Sequence, residues 1–167
     1  MTALTEHFVL EEFERSDFAR RNGWKNKVPP EFMDNVHLVA EMLERIRALL
    51  WREKGFECPV VILSGYRSPM LNRAVGGADD SQHLGGKAAD WVSPKFGPPT
   101  EICHVLAEHL DKLEIGQLIN EYPGGDGQGW VHTGVEIPDR EINRVITVDR
   151  YADGHVGTVP GVMDTFS

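Results

Sequence analysis

Ser81-Gln82-His83-Leu84-Gly85-Gly86-Lys87-Ala88-Ala89-Asp90-Trp91-Val92 is the stretch around which the chain organises. It runs from a polar, small-residue loop, Ala78–Gly86, into a short strand, Lys87–Val92. An aspartate in the middle of that apolar strand is costly to bury without a partner, and a metal ion is one such partner. His83 lies on the loop, seven residues before Asp90.

Upstream, Val60-Val61-Ile62-Leu63 is a β-branched apolar run that reads as a buried strand. Ser68-Pro69 then has the character of an N-cap and first helical position, opening a helix through Val75 that Gly76-Gly77 ends. Earlier still, Pro29-Pro30 opens a long helix whose apolar face is Phe32, Val36, Val39, Ala40, Leu43, Ile46 and Leu50, and Gly55 stops it. A short amphipathic helix is expected over about Glu11–Arg20, with Glu11-Glu12-Phe13-Glu14 as a solvated face. Downstream, Thr100 is expected to cap a second long helix carrying Ile102, Leu106, Leu110 and Leu113. Gln117–Glu121, Trp130–Ile137 and Arg144–Asp149 read as strands, with a turn-rich loop from Pro123 to Gly129. Trp51 and Trp91 are core candidates. Helices and strands do not alternate strictly, so the expectation is α+β, a mainly antiparallel sheet with helices packed on one side.

The chain has seven histidines, and the helical His-Glu-x-x-His metalloprotease motif is absent. His104 and His109 stand five apart on the second helix and read as surface or packing residues. His37 lies inside the first long helix, and His155 near the end. His7, beside Phe8, fits packing or capping. His132 differs, because it sits in a strand-like run, Trp130-Val131-His132-Thr133. Together with His83 and Asp90 it makes two imidazoles and a carboxylate, a set that suits zinc with a fourth position open. By spacing alone this reading competes with ordinary hydrogen-bonded core polar residues.

The motifs Ser64-Gly65-Tyr66-Arg67-Ser68-Pro69, Leu71-Asn72-Arg73-Ala74-Val75-Gly76-Gly77 and Ser81–Asp90 closely resemble the zinc D-Ala-D-Ala carboxypeptidase family of peptidoglycan metallopeptidases. That family's hallmark is Ser-x-His-x-x-Gly-x-Ala-x-Asp followed by Trp-x-His. Here it is met by Ser81, His83, Gly86, Ala88, Asp90, Trp130 and His132. The opening His7–Phe13 with Ser16-Asp17 looks like the phage and prophage endolysin-like branch. The resemblance implies the hedgehog/DD-peptidase fold and one zinc ion held by His83, Asp90 and His132. It implies cleavage of D-Ala-D-Ala, or of L-Ala-D-Glu in endolysins, in the peptidoglycan stem peptide. Arg67 matches the arginine that stabilises charge near the scissile carbonyl. Ser81 matches a position near the bound peptide.

One position departs from that pattern. Many relatives carry an acidic general base three residues before the second histidine, where this chain has Gly129. The resembled branch has a Gln-Leu-Ile-x-Glu segment, met here by Gln117-Leu118-Ile119-Asn120-Glu121, so Glu121 is the candidate base. If Glu121 faces Trp130 in a hairpin, Ile119 faces His132, and Glu121 shares a face with His132. A slip of one residue would separate them. Asp126 is the rival base, and a purely structural Glu121 is the plain alternative. The missing acid also keeps open a non-catalytic module that binds peptidoglycan or protein.

Composition bounds the rest. The chain has 167 residues, 41% hydrophobic and 26% charged, which is ordinary globular usage. One domain is expected over 1–167, with a core of about 5–150 and an irregular tail over 151–167. The net charge of −9 disfavours a phosphate-tracking nucleic-acid binder and attraction to an anionic membrane. The start lacks the pattern of a secretory signal, and no apolar run is long enough to span a bilayer. The expected location is therefore cytoplasmic synthesis, with action on the wall after phage lysis or as a virion component, as a monomer. Cys58 and Cys103 read as two buried free thiols.

Overall fold

The computed structural model describes residues 1–125, 129–164 and 166. Its longest element is α3 (Met33–Lys54), entered through a 3-10 turn at Pro30–Phe32 and closed by Gly55 at φ 78°. Val36, Val39, Ala40, Met42, Leu43, Ile46, Leu49 and Leu50 are its buried stripe. Each of these side chains except the smaller Ala40, taken from water, contributes roughly 1.5–3 kcal/mol, so this face holds the helix to the sheet.

Six strands form one sheet in the order β1-β2-β4-β3-β5-β6. They are β1 (Val61–Ser64), β2 (Ala88–Val92), β3 (Gln117–Glu121), β4 (Trp130–Gly134), β5 (Val145–Arg150) and β6 (Val156–Pro160). Every pairing is antiparallel except β3 with β5. The fold is the expected α+β arrangement, and the helix expected after Ser68 is α4 (Pro69–Ala74), capped by the Ser68 hydroxyl. Ile62, Ala89, Trp91, Val131 and Leu118 are buried in one core with the apolar stripe of α3 and with Ile102, Cys103 and Leu106 of α5 (Pro99–Ala107). Because side chains alternate along a strand, the neighbouring positions Asp90, His132 and Ile119 fall on the opposite face. The apolar face binds the helices and leaves the other face free to carry polar chemistry.

Several local expectations are corrected. The first helix is two, α1 (Leu10–Glu14) and α2 (Asp17–Arg21). Arg15 is extended, and the Ser16 hydroxyl accepts from the Ala19 N–H to start the second. Glu11–Glu14 is no solvated face: Phe13 is buried, and the Glu14 carboxylate pairs with Lys27 and accepts from the Val28 N–H. Thr100 does not cap α5. Pro98 is its N-cap, and the Thr100 hydroxyl meets the Asn120 amide instead. That helical stretch also breaks at Glu108-His109 before the short α6 (Leu110–Leu113).

Trp51 is 56% exposed, whereas Trp91 is fully buried with its indole N–H donating to Thr133. The irregular tail is corrected as well, since Val156–Pro160 is a strand on the sheet edge. Glycine and proline hide it in the sequence, but an edge strand tolerates both. Beyond it, Asn120 donates to the Met163 carbonyl and Thr147 to the Gly161 carbonyl, which ties the chain end down. Cys58 and Cys103 are buried free thiols, as read. Among the described residues, no helix is long and apolar enough to cross a membrane.

Candidate metal centre

His83 rides on a short 3-10 turn, Gln82–Gly85, and the Ser81 hydroxyl caps it by accepting from the His83 N–H. Gly86, at φ 67°, ends the turn and passes the chain into β2. Two residues into that strand, Asp90 is paired directly opposite His132 of β4. Neither strand alone makes a site. The antiparallel register does, by setting a carboxylate against an imidazole that is 42 residues away in sequence.

Asp90 Oδ1 lies 2.9 Å from His132 Nδ1 and 3.2 Å from His83 Nε2. All three residues are buried, and one donor atom from each falls within 4.8 Å of the other two. Ligands around 2.0–2.1 Å from a tetrahedral zinc would be about 3.3 Å apart, so the observed spacings approach that geometry. The remaining nitrogen of His83 fits as well. Nδ1 donates to the Gly65 carbonyl oxygen at 2.6 Å, which fixes the ring and aims Nε2 at Asp90. This set of two nitrogens and one oxygen could hold zinc.

Burial by itself would favour the neutral form of Asp90. The charges and hydrogen bonds of His83 and His132 outweigh it and hold the carboxyl well below the usual carboxylate range. Asp90 is thus an anion, the form a metal ligand requires.

Arg67 meets the same carboxylate from the other side. Its Nη2 donates to Asp90 Oδ2 at 2.7 Å and its Nε donates to the Ser64 hydroxyl at 3.0 Å. Asp90 Oδ1 therefore faces both histidines while Oδ2 is taken by the guanidinium. Ser64 was not among the sequence candidates, although it opens the Ser64-Gly65-Tyr66-Arg67-Ser68-Pro69 motif and ends β1.

Glu121 pairs opposite Trp130, and Ile119 opposite His132, which is the register that puts Glu121 and His132 on one face. Its Oε1 is 4.0 Å from His132 Nδ1. Burial, and after it the charge of Asp90, pushes its carboxyl up to about 7, against the opposing pull of His132 and Arg67. A carboxyl poised near neutrality beside a candidate metal centre can accept and return a proton.

Gly129 explains where an acid cannot be. A Cβ there would lie 2.8 Å from the Glu121 carbonyl oxygen and 2.9 Å from that of Tyr122. A side chain at this point would force the ends of β3 and β4 apart. The rival base Asp126 lies outside the described residues. Trp130 is half-buried on the site face, and its ring lies 5.3 Å from that of Tyr122. His37, His104, His109 and His155 are not among the residues brought together here, and His7 bonds Glu44 at 2.8 Å.

No curated protein is similar to the chain at a significant level. The sequence model described as Peptidase M15 matches residues 6–121. That span covers more than half of the chain and includes Arg67, Ser81, His83, Asp90 and Glu121. It stops short of His132, which the β2–β4 pairing supplies. On that match, with three donors converging on one face of the sheet, the chain belongs to the Peptidase M15 family.

Proposed function

We propose that this peptidase is a zinc enzyme that hydrolyses a peptide bond in the peptidoglycan stem peptide. The observation that carries the reading is the convergence of His83, Asp90 and His132, with Glu121 on the same face. Zinc bound by those three residues supplies Lewis acidity, polarising a carbonyl and making water nucleophilic at neutral pH.

The chain's own residues do the rest. Glu121 takes a proton as water adds to the scissile carbonyl, and returns it to the leaving amine. Burial pushes its carboxyl up to about 7 without the metal, and the charge of a bound zinc would draw it down toward the basic form that the first half of the transfer needs. Arg67 secures Asp90 through Oδ2 and brings a fixed positive charge to where the carbonyl oxygen gains negative charge. Ser81 holds the turn that carries His83 and borders the peptide. Trp130 walls the cleft beside Glu121.

The bond cut is D-Ala-D-Ala, as in a carboxypeptidase, or an L-Ala-D-Glu type linkage, as in an endopeptidase. The biological setting we propose is phage or prophage: a monomer made in the cytoplasm that reaches the wall on lysis, or as part of a virion. A non-catalytic module with the same fold is the second reading, kept open by Gly129, which stands where many members of the resembled family carry an acid.

Mass spectrometry of purified peptidoglycan, incubated with zinc-loaded protein beside a chelated control, decides. A zinc-dependent fragment is expected. Loss of one alanine identifies a carboxypeptidase, and a freed stem peptide an endopeptidase. No new fragment with zinc bound would transfer the assignment to the binding module.

A further inference from the structure

The segment between α2 and the 3-10 turn before α3 contains the polar triplet Lys25-Asn26-Lys27. In the fold Asn26 is buried, 7% exposed, and all of its amide is used. Its Nδ2 donates to the Glu14 carbonyl at 3.0 Å and to the Tyr66 carbonyl at 2.9 Å. Its Oδ1 accepts from the Ser68 N–H at 2.8 Å. One side chain thus spans the end of α1 and both sides of Arg67.

The turn it holds, Gly65–Ser68, touches two of the three candidate ligands. The Gly65 carbonyl accepts from His83 Nδ1, the Arg67 N–H donates to the His83 carbonyl at 3.0 Å, and the Arg67 guanidinium holds Asp90. From behind, the turn is jammed against α1. A Cβ on Gly65 would lie 2.6 Å from the Phe13 Cα. The turn therefore has a wall on one side and Asn26 as its polar tie.

We infer that Asn26 is a positioning residue for the metal centre, acting through the Gly65–Ser68 turn on His83 and, by way of Arg67, on Asp90. This rests on the reading of His83, Asp90 and His132 as metal ligands. Groups that orient metal ligands typically contribute 10–100-fold to metal affinity. Asn26 acts one bond further out, so the lower end applies.

Asn26→Ala should bind zinc about tenfold more weakly in competition with a chromophoric chelator, and should shift the visible spectrum of the cobalt-loaded protein. Leu50→Ala, in the core of α3, controls for lost stability and should leave both readouts unchanged. Asn26→Ser, which keeps a small polar group, should fall between Asn26→Ala and wild type, and replaces Asn26→Ala if that chain does not fold. Wild-type affinity and an unshifted cobalt spectrum in a destabilised Asn26 variant would make the residue merely structural and overturn the inference.

The unsubstituted chain gives an independent check. Coupling is reciprocal, so zinc should slow hydrogen exchange at the Ser68 amide, and unchanged exchange there would overturn the inference without any variant. His83→Ala separates the two levels. If it keeps zinc, the ligand reading itself fails. If it loses zinc while Asn26→Ala binds normally, only the role of Asn26 fails.

Discussion

Glu121 Oε1 lies 4.0 Å from His132 Nδ1, and the two side chains share a face because Ile119, not Glu121, is the residue paired with His132. Glu121→Gln keeps the shape of this side chain and removes its proton transfer. It should retain stoichiometric zinc and lose about 10²–10⁴ in turnover, the usual contribution of a positioned acid–base group. Metal analysis and hydrolysis of wall peptides on the same preparation measure both. Turnover near wild type would remove Glu121 from the role.

His83→Ala takes away the imidazole between the Gly65 carbonyl and Asp90. Zinc and turnover should be lost together, since two protein ligands do not make the three that a catalytic zinc site uses. Stoichiometric metal in the dialysed variant would show the ligand set to be wrong.

Arg67→Lys preserves charge and gives up the fork that joins Asp90 Oδ2 to Ser64. A lysine ammonium cannot reproduce that two-point contact. Zinc affinity and turnover should both fall, and less than in Arg67→Ala. Equal behaviour of the two variants in a chelator titration would mean that charge contributes nothing at this position.

Gly129→Ala places a methyl group 2.8 Å from the Glu121 carbonyl oxygen, so the start of β4 must move away from the end of β3. A cost of about 1–3 kcal/mol is expected from such overpacking, read from urea unfolding midpoints. For the same reason, Gly129→Glu should not restore turnover to Glu121→Gln. A rescued double variant would contradict the close crossing of the chain here.

The Glu44 carboxylate is partly buried, which alone would raise its pKa. The Thr5 hydroxyl at 2.7 Å and the His7 N–H and ring at 2.8 Å outweigh that and lower it. A lowered folded-state pKa adds stability that is present above the unfolded carboxylate pKa of about 4.3 and is lost as pH falls through the folded value. The melting temperature of wild type should exceed that of Glu44→Gln above about pH 5, and the gap should close as pH falls through the lowered folded-state value. A gap that stays constant over this range would show that Glu44 contributes by shape and not by charge.

Local periodicity made much of this fold legible in the sequence. The 3–4-residue spacing of Val36 to Leu50 specified α3 and its buried stripe. The alternation along Gln117–Glu121 and Trp130–Gly134 specified which residues share a face once one pair is matched. Asp90 and His132 stood out because charged or titratable groups in strand-like runs are costly to bury unpaired, and His83 through the family motif that leads into β2.

Tertiary structure decided what no local pattern encodes. It set β2 beside β4, so that Asp90 meets His132. It supplied β5 as the partner that turns Val156–Pro160 into a strand. It also carried Asn26, which looks like a surface residue between two lysines, into a buried contact with Tyr66 and Ser68. The physical reason is common to all three. Helix and strand periods depend on neighbours within a few residues, whereas strand order and the partners of buried polar groups depend on contacts between segments far apart in sequence.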